Sequence, residues 1–171
     1  MREDTICFTQ NYFFSTALLG FTPNKHEGKL TGLAAHGITN EELFDFFEEH
    51  NQIENSLVHK ITSWENLGKK HRSPQMIINK ALLDEYKKKF EHIKPQDVAH
   101  TVQKFTEQKV LEYIAKNIPN KEDANIALAG GLFANVVINE APTVRFAHFA
   151  ASCGVSSFVN SKSFIWLASL P

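Results

Sequence analysis

A short apolar run that stops at paired glycines and restarts as a helix constrains this chain most. Asn125-Ile126-Ala127-Leu128-Ala129 reads as a buried strand, bounded by Asp123 and by Gly130-Gly131, and a helix is expected from Leu132 to about Glu140. Glycines at such a junction carry no Cβ, so backbone can come close to a ligand. The first N–H groups of the following helix are then open to an anion. Asn135, one turn in, adds an amide that both donates and accepts, suited to a nucleoside edge or a ribose. The same glycines also fit a plainer role, close packing of helix on strand, and the residues leave both readings open. There is no G-x-G-x-x-G and no G-x-x-x-x-G-K-[ST], so neither Rossmann nor P-loop chemistry is supported.

Upstream of that junction the pattern is mainly helical. Cys7 to Leu19 is apolar and aromatic, ends at Gly20, and is long enough for a buried helix. Gly20 to Gly37 holds four glycines and a proline and reads as loop, short helix, loop. Thr39-Asn40-Glu41-Glu42 has the capping-box pattern, which predicts a helix through Leu43, Phe46 and Phe47 to about His50. A short strand or two is expected around Ser56–Thr62. Ser73-Pro74 looks like a cap and first helical residue for a helix carrying Ile77, Ile78, Ala81, Leu82 and Tyr86. The Lys87-Lys88-Lys89 run that follows fits a solvated helix C-terminus favoured by the dipole. Pro95 opens the strongest helix, in which Val98, Val102, Phe105, Thr106, Lys109, Val110 and Tyr113 form one stripe, ended by Pro119-Asn120. Lys109 inside the stripe either snorkels or reaches a polar site.

Charge excludes several function classes. Lys and Arg number 18 against 19 Asp and Glu, which gives no field to hold a polyanion, so nucleic acid is not an expected partner. No apolar run is long enough to span a bilayer, and the acidic N-terminus is not a secretory signal. With Cys7 and Cys153 far apart, a reducing cytoplasm is the expected location and no membrane partner is expected. The eight histidines form no H-x-x-H or H-x-x-x-H pair, so no metal site is read. Every acidic residue lies at or before Glu140, and residues 141–171 carry only Arg145 and Lys162 as charges. Two segments are therefore expected, 1–140 as a domain and 141–171 as either a buried terminal segment or a degenerate or altered tail. Glu27-Gly28-Lys29, in the early loop, sets an acid and a base either side of a glycine. Such a pair can hold a ribose hydroxyl and a phosphate or form an exposed ion pair.

Two segments together resemble one family. Leu19-Gly20-Phe21-Thr22-Pro23-Asn24, then Glu27-Gly28-Lys29-Leu30-Thr31-Gly32-Leu33-Ala34 and Gly37, resembles the LGF-x-P-x-x-x-EGK-x-x-GLA-x-x-G run of O-carbamoyltransferases of the nodulation-factor and antibiotic-tailoring type. Leu128-Ala129-Gly130-Gly131-Leu132-Phe133-Ala134-Asn135 is similar to their LAGG-x-x-x-N segment, and Asp97–Gln103 to the helix before it. The resemblance covers Phe13 to about Asn139.

The resemblance implies an α/β fold, here a fragment of a Kae1-like domain of the actin/sugar-kinase/Hsp70 superfamily (ribonuclease-H-like). It implies transfer of a carbamoyl group from carbamoyl phosphate to a hydroxyl acceptor, using ATP and a divalent metal, through a carbamoyl-adenylate. Gly130, Gly131 and Asn135 would line the nucleotide, while Glu27 and Lys29 would contact ribose or phosphate. The family's metal-binding histidine pair and late aspartate have no counterpart here: His148 to Gly154 holds no acid. Turnover by this sequence alone is therefore not expected, and no catalytic residue is assigned. A partner chain supplying the missing motifs is one expectation. A non-catalytic nucleotide-binding module and an inert truncated or split-gene fragment are the alternatives.

Overall fold

The computed structural model describes residues 9–51, 55–65, 75–117, 127–128, 131–135, 137–138 and 165–166. The chain divides into two units, residues 1–102 and 103–171. It is mixed α/β and mostly helical.

The first unit is built on helix α1, Gln10–Leu18, every residue of which is buried. Phe14 is fully inaccessible, and its ring meets Phe46 at 5.9 Å, Phe47 at 6.5 Å and Tyr86 at 5.3 Å between centroids. The Phe47 and Tyr86 contacts are edge-on, the geometry that the ring quadrupoles favour. α1 also buries polar groups. Thr16 donates to the Tyr12 carbonyl at 2.7 Å and Gln10 Nε2 to the Asn51 carbonyl at 3.1 Å. Gln10 Oε1, Asn11 Oδ1 and Ser15 Oγ have no partner among the described residues.

The end of α1 explains the Leu-Gly-Phe triplet. Gly20 sits at φ 77°, its N–H donates to Ala17 O, and the Phe21 N–H donates to Thr16 O, both at 3.0 Å. These two bonds make a Schellman cap, whose left-handed position favours glycine. Helix α2, Glu27–Ala34, follows as the short helix of the loop–helix–loop reading, but it takes in Glu27-Gly28-Lys29, which were expected in the loop.

Helix α3, Glu41–Glu49, ends where the capping pattern predicts but is capped one residue later than expected. Asn40 is extended, and its Oδ1 accepts the Leu43 N–H at 3.0 Å, so Thr39 is not the cap. Glu42 does not reach back; its Oε2 lies 2.9 Å from His92 Nε2.

Two further expectations are corrected. Ser56 starts helix α4, Leu57–Ile61, in place of a strand, because Leu57 and Ile61 lie one turn apart and both are buried. Strand β1, Thr62–Glu65, comes only after it. The helix expected from Ser73-Pro74 is also displaced: those two residues lie outside the described set, and Gln75–Ile78 forms strand β2. β2 pairs antiparallel with β1, Trp64 opposite Met76. Asn79 then caps helix α5, Lys80–Lys89, by accepting the Leu82 N–H at 3.2 Å. The β-branched pair Ile77-Ile78 favours the ladder, and an asparagine after it serves as a cap as well as a serine does. Lys87-Lys88-Lys89 forms the last turn of α5, with Lys89 Nζ over the Phe46 and Phe90 rings at 4.7 and 5.0 Å.

Helix α6 runs Pro95–Asn117, opening where the sequence places it. Val98, Val102, Phe105, Thr106 and Val110 are buried, as the stripe requires. Ala99, Thr101, Gln103 and Ile114 are buried too, so more than half of the helix circumference is covered. Lys109 snorkels: its ammonium pairs with Glu112 at 2.9 Å and stands 5.5 Å from the Phe105 centroid. Pro119-Asn120 lies outside the described residues.

In the second unit, Ala127–Leu128 forms strand β3, paired antiparallel with Ile165–Trp166, strand β4. β3 falls inside the expected strand. The helix expected from Leu132 is instead a 3₁₀ turn, Gly131–Ala134, after which Asn135 leaves helical geometry and Val137–Ile138 is helical again. The Asn135 N–H closes that turn on the Leu132 carbonyl at 3.1 Å, and the Asn135 side chain accepts the Val137 N–H at 3.1 Å. An asparagine that bonds backbone two residues on competes with a continuous helix, which accounts for the break. Both sheets among the described residues are two-stranded and antiparallel; the wider sheet implied by a ribonuclease-H-like domain is not among them. No helix among them is long and apolar enough to cross a membrane.

Candidate functional site

The expected site residues fall in both units. Glu27 and Lys29 belong to the first. Gly131 and Asn135 belong to the second, and Gly130 lies outside the described residues.

Around Glu27 the turn from Gly20 is tied down by its own side chains. Asn24 takes a left-handed φ of 63°, and its N–H donates to Glu27 Oε1. The Thr22 N–H donates to His26 Nδ1 at 3.2 Å, which puts the ring proton on Nε2. Lys29 Nζ stands 5.2 Å from the Phe21 centroid, and the His26 ring meets Phe21 edge-on at 6.2 Å. Glu27 and Lys29 thus each have a local anchor, with Lys29 exposed and Glu27 half-buried. A cation resting on an aromatic face contributes only about 0.5–1 kcal/mol in water, so its ammonium can be drawn off to a phosphate cheaply.

The other end of the first motif is a clamp. A Cβ on Gly37 would collide with the Gln96 carbonyl and come within 2.9 Å of Asp97 N. The Ile38 N–H donates to Asp97 Oδ1 and the Asn40 N–H to Thr101 Oγ1, each at 2.9 Å. His100 Nδ1 donates to the Ala34 carbonyl at 2.9 Å. Three side chains on the first turns of α6 thereby fix the segment from Ala34 to Asn40. Between these anchored ends, Gly28 and Gly32 lie one turn apart on the exposed side of α2, with nothing within 4 Å of an added Cβ.

In the second unit, Gly131 is exposed and an added Cβ there meets nothing within 4 Å. Its φ is not left-handed. Neither its conformation nor packing by the described residues demands a glycine at 131, and an exposed backbone opens the 3₁₀ turn. Asn135 is half-buried and braced, its Nδ2 donating to Gln103 Oε1 at 2.7 Å. Gln103, only 4% exposed, donates from Nε2 to Glu107 Oε1 at 2.6 Å, and Lys104 Nζ meets Glu107 Oε2 at 2.9 Å. Sequence reasoning passed over Gln103 and Glu107 because a Gln-x-x-x-Glu pair on a helix ordinarily reads as a solvated face. The signal was there: Gln103 lies one turn after Ala99, beside the apolar stripe.

No group of three His, Cys, Asp or Glu side chains among the described residues can hold a metal ion. Among the described residues two ionisable groups are shifted. Hydrogen bonds from Lys109 and then Gln108 hold the Glu112 carboxyl below its ordinary range, against partial burial. Burial, then the Glu85 charge, pushes the Tyr86 phenol up.

Residues 7–149 match a family model described as the N-terminus of carbamoyltransferases. An uncharacterised protein of Methanocaldococcus jannaschii is 34% identical over 131 residues, which cover 75% of this chain. The chain spans 19% of that relative's length. No solved structure matches.

Proposed function

From the premise that the chain belongs to the carbamoyltransferase N-terminal family, we propose that it supplies nucleotide-contacting parts of an O-carbamoyltransferase. The reading takes the fold to be part of an actin-type, ribonuclease-H-like domain. The reaction is transfer of a carbamoyl group from carbamoyl phosphate to a hydroxyl of an acceptor, with ATP, through a carbamoyl-adenylate. Carbamoyl phosphate first loses inorganic phosphate to water as carbamate, and a carbamate oxygen attacks the α-phosphate of ATP and displaces pyrophosphate. The acceptor hydroxyl then attacks the carbamoyl carbon of the adenylate, its proton passes to water, and AMP leaves on its phosphate oxygen. Charge builds on phosphate oxygens in such a step, and fixed backbone donors with a nearby cation are what stabilise it.

The observation that supports the reading is the exposed backbone at Gly131, which follows β3 and where neither φ nor any described neighbour requires a glycine. Gly130 and Gly131 would accept the phosphates, Asn135 would stand beside them, and Lys29 with Glu27 would meet phosphate and ribose. The family's divalent metal finds no three-ligand group among the described residues, so no step is routed through it.

Calorimetric titration of ATP, with and without magnesium, into wild type and Gly131→Val tests the reading. Wild type is expected to bind and the variant to lose affinity at least about tenfold, a change of ~1.4 kcal/mol. The variant's thermal midpoint should stay within about 2 °C of wild type, since surface changes away from packed features rarely exceed ~0.5 kcal/mol. Equal affinity in the two proteins would remove the glycine turn from the site.

A further inference from the structure

Asn135 can face its surroundings either way round, amide or carbonyl, and a row of side chains on α6, with Gln103 buried at its centre, decides which. Glu107 carries a carboxylate, which only accepts hydrogen bonds. Its Oε1 therefore calls the Nε2 of Gln103 toward it, at 2.6 Å. The Gln103 amide, 4% exposed, then has its Oε1 turned the other way, where it accepts from Asn135 Nδ2 at 2.7 Å. With Nδ2 directed at α6, Asn135 Oδ1 is left to accept the Val137 N–H at 3.1 Å. Lys104, 2.9 Å from the second Glu107 oxygen, holds the carboxylate at the outer end of the row. Direction thus passes from a charged group to a neutral amide through one intermediate that is buried.

We propose that Gln103 and Glu107 are positioning residues that fix the orientation of Asn135 and, through it, the exit of the 3₁₀ turn that begins at Gly131. Neither residue touches the nucleotide; each acts by removing the freedom of the turn to rotate away from it. Pre-set donors hold a ligand more tightly than donors that must first be ordered. The inference rests on the nucleotide reading for its effect on binding, but not for the hydrogen-bond row itself.

The test exploits the direction of the row. Gln103→Glu keeps the side-chain length but sets two carboxylates face to face, and their repulsion turns the 103 side chain away from Glu107 and off Asn135, so the row breaks. The double variant Gln103→Glu/Glu107→Gln restores it: the amide at 107 donates to the carboxylate at 103, which accepts from Asn135 as before. Two readouts are taken on the whole chain. The first is exchange protection of the Asn135 side-chain amide protons by ¹⁵N NMR, which needs no nucleotide. The second is ATP affinity by calorimetry. The single variant is expected to lose protection and about tenfold in ATP affinity, and the double to regain both to within about twofold of wild type. Protection of Asn135 unchanged in the single variant, or not recovered in the double, overturns the positioning role. If protection follows the row while wild type fails to bind ATP, the nucleotide reading falls and the row stands.

Discussion

The glycines of the first unit and the glycine turn of the second are used differently. Gly20 is held by its left-handed φ and Gly37 by the Gln96 carbonyl pressed against its Cα. Gly131 has neither demand on it, and Gly28 and Gly32 resemble it rather than their neighbours in the same motif. One run of residues thus mixes glycines that the fold needs with glycines that weaken it. A glycine inside a helix costs roughly 0.5–1 kcal/mol relative to alanine. At Gly28, Gly32 and Gly131 no contact or dihedral among the described residues requires the glycine.

Substitution separates the two kinds. Gly37→Ala should cost the most, about 3 kcal/mol, because the colliding atom is backbone and cannot swing aside. Chemical denaturation would show it, and a fully stable variant would mean that the Ala34–Asn40 clamp is looser than its hydrogen bonds suggest. Gly20→Ala should cost about 1–2 kcal/mol from the left-handed backbone alone, as nothing crowds its side-chain position. Gly28→Ala and Gly32→Ala should do the reverse and raise stability by about 0.5–1 kcal/mol each. A loss of stability at either would place an unrecognised structural demand on α2.

The smallest effects come from pH, and the two units should respond from opposite ends. Glu112 has a lowered folded pKa, so its contribution is present above the unfolded value of about 4.3 and fades as pH falls through the folded one. Half exposed, it gives a slight acid softening that Glu112→Gln removes. Tyr86 has a raised folded pKa, so its contribution is intact below the unfolded value of about 10 and fades as pH rises through the folded one. Tyr86→Phe should flatten the alkaline limb of a thermal-midpoint profile; an unchanged limb would contradict the burial assigned to that phenol.

Much of this was legible in the residues. The end of α3 and the start of α6 follow from hydrophobic spacing and a leading proline. What failed has a common cause, local patterns with two physical solutions. Thr39 and Asn40 both cap helices, and only the extended backbone at Asn40 decides between them. Ser56–Thr62 is short and apolar, so period alone cannot separate strand from helix; burial of Leu57 and Ile61 one turn apart does. The second half of the site was the less legible. Gly131 and Asn135 were visible as types, and the Asn135–Val137 bond that ends the 3₁₀ turn is local, but the bond from Asn135 to Gln103 joins residues 32 apart, which no sequence window contains.

The most direct measurement is an amide NMR titration of the ¹⁵N-labelled chain with ATP. The account predicts that shift changes concentrate at Gly131, Phe133 and Asn135 and at Gly28 and Lys29, and leave Gly20 and Gly37 still. Changes centred on Gly20 and Gly37, or none at Gly131 under saturating nucleotide, would contradict it.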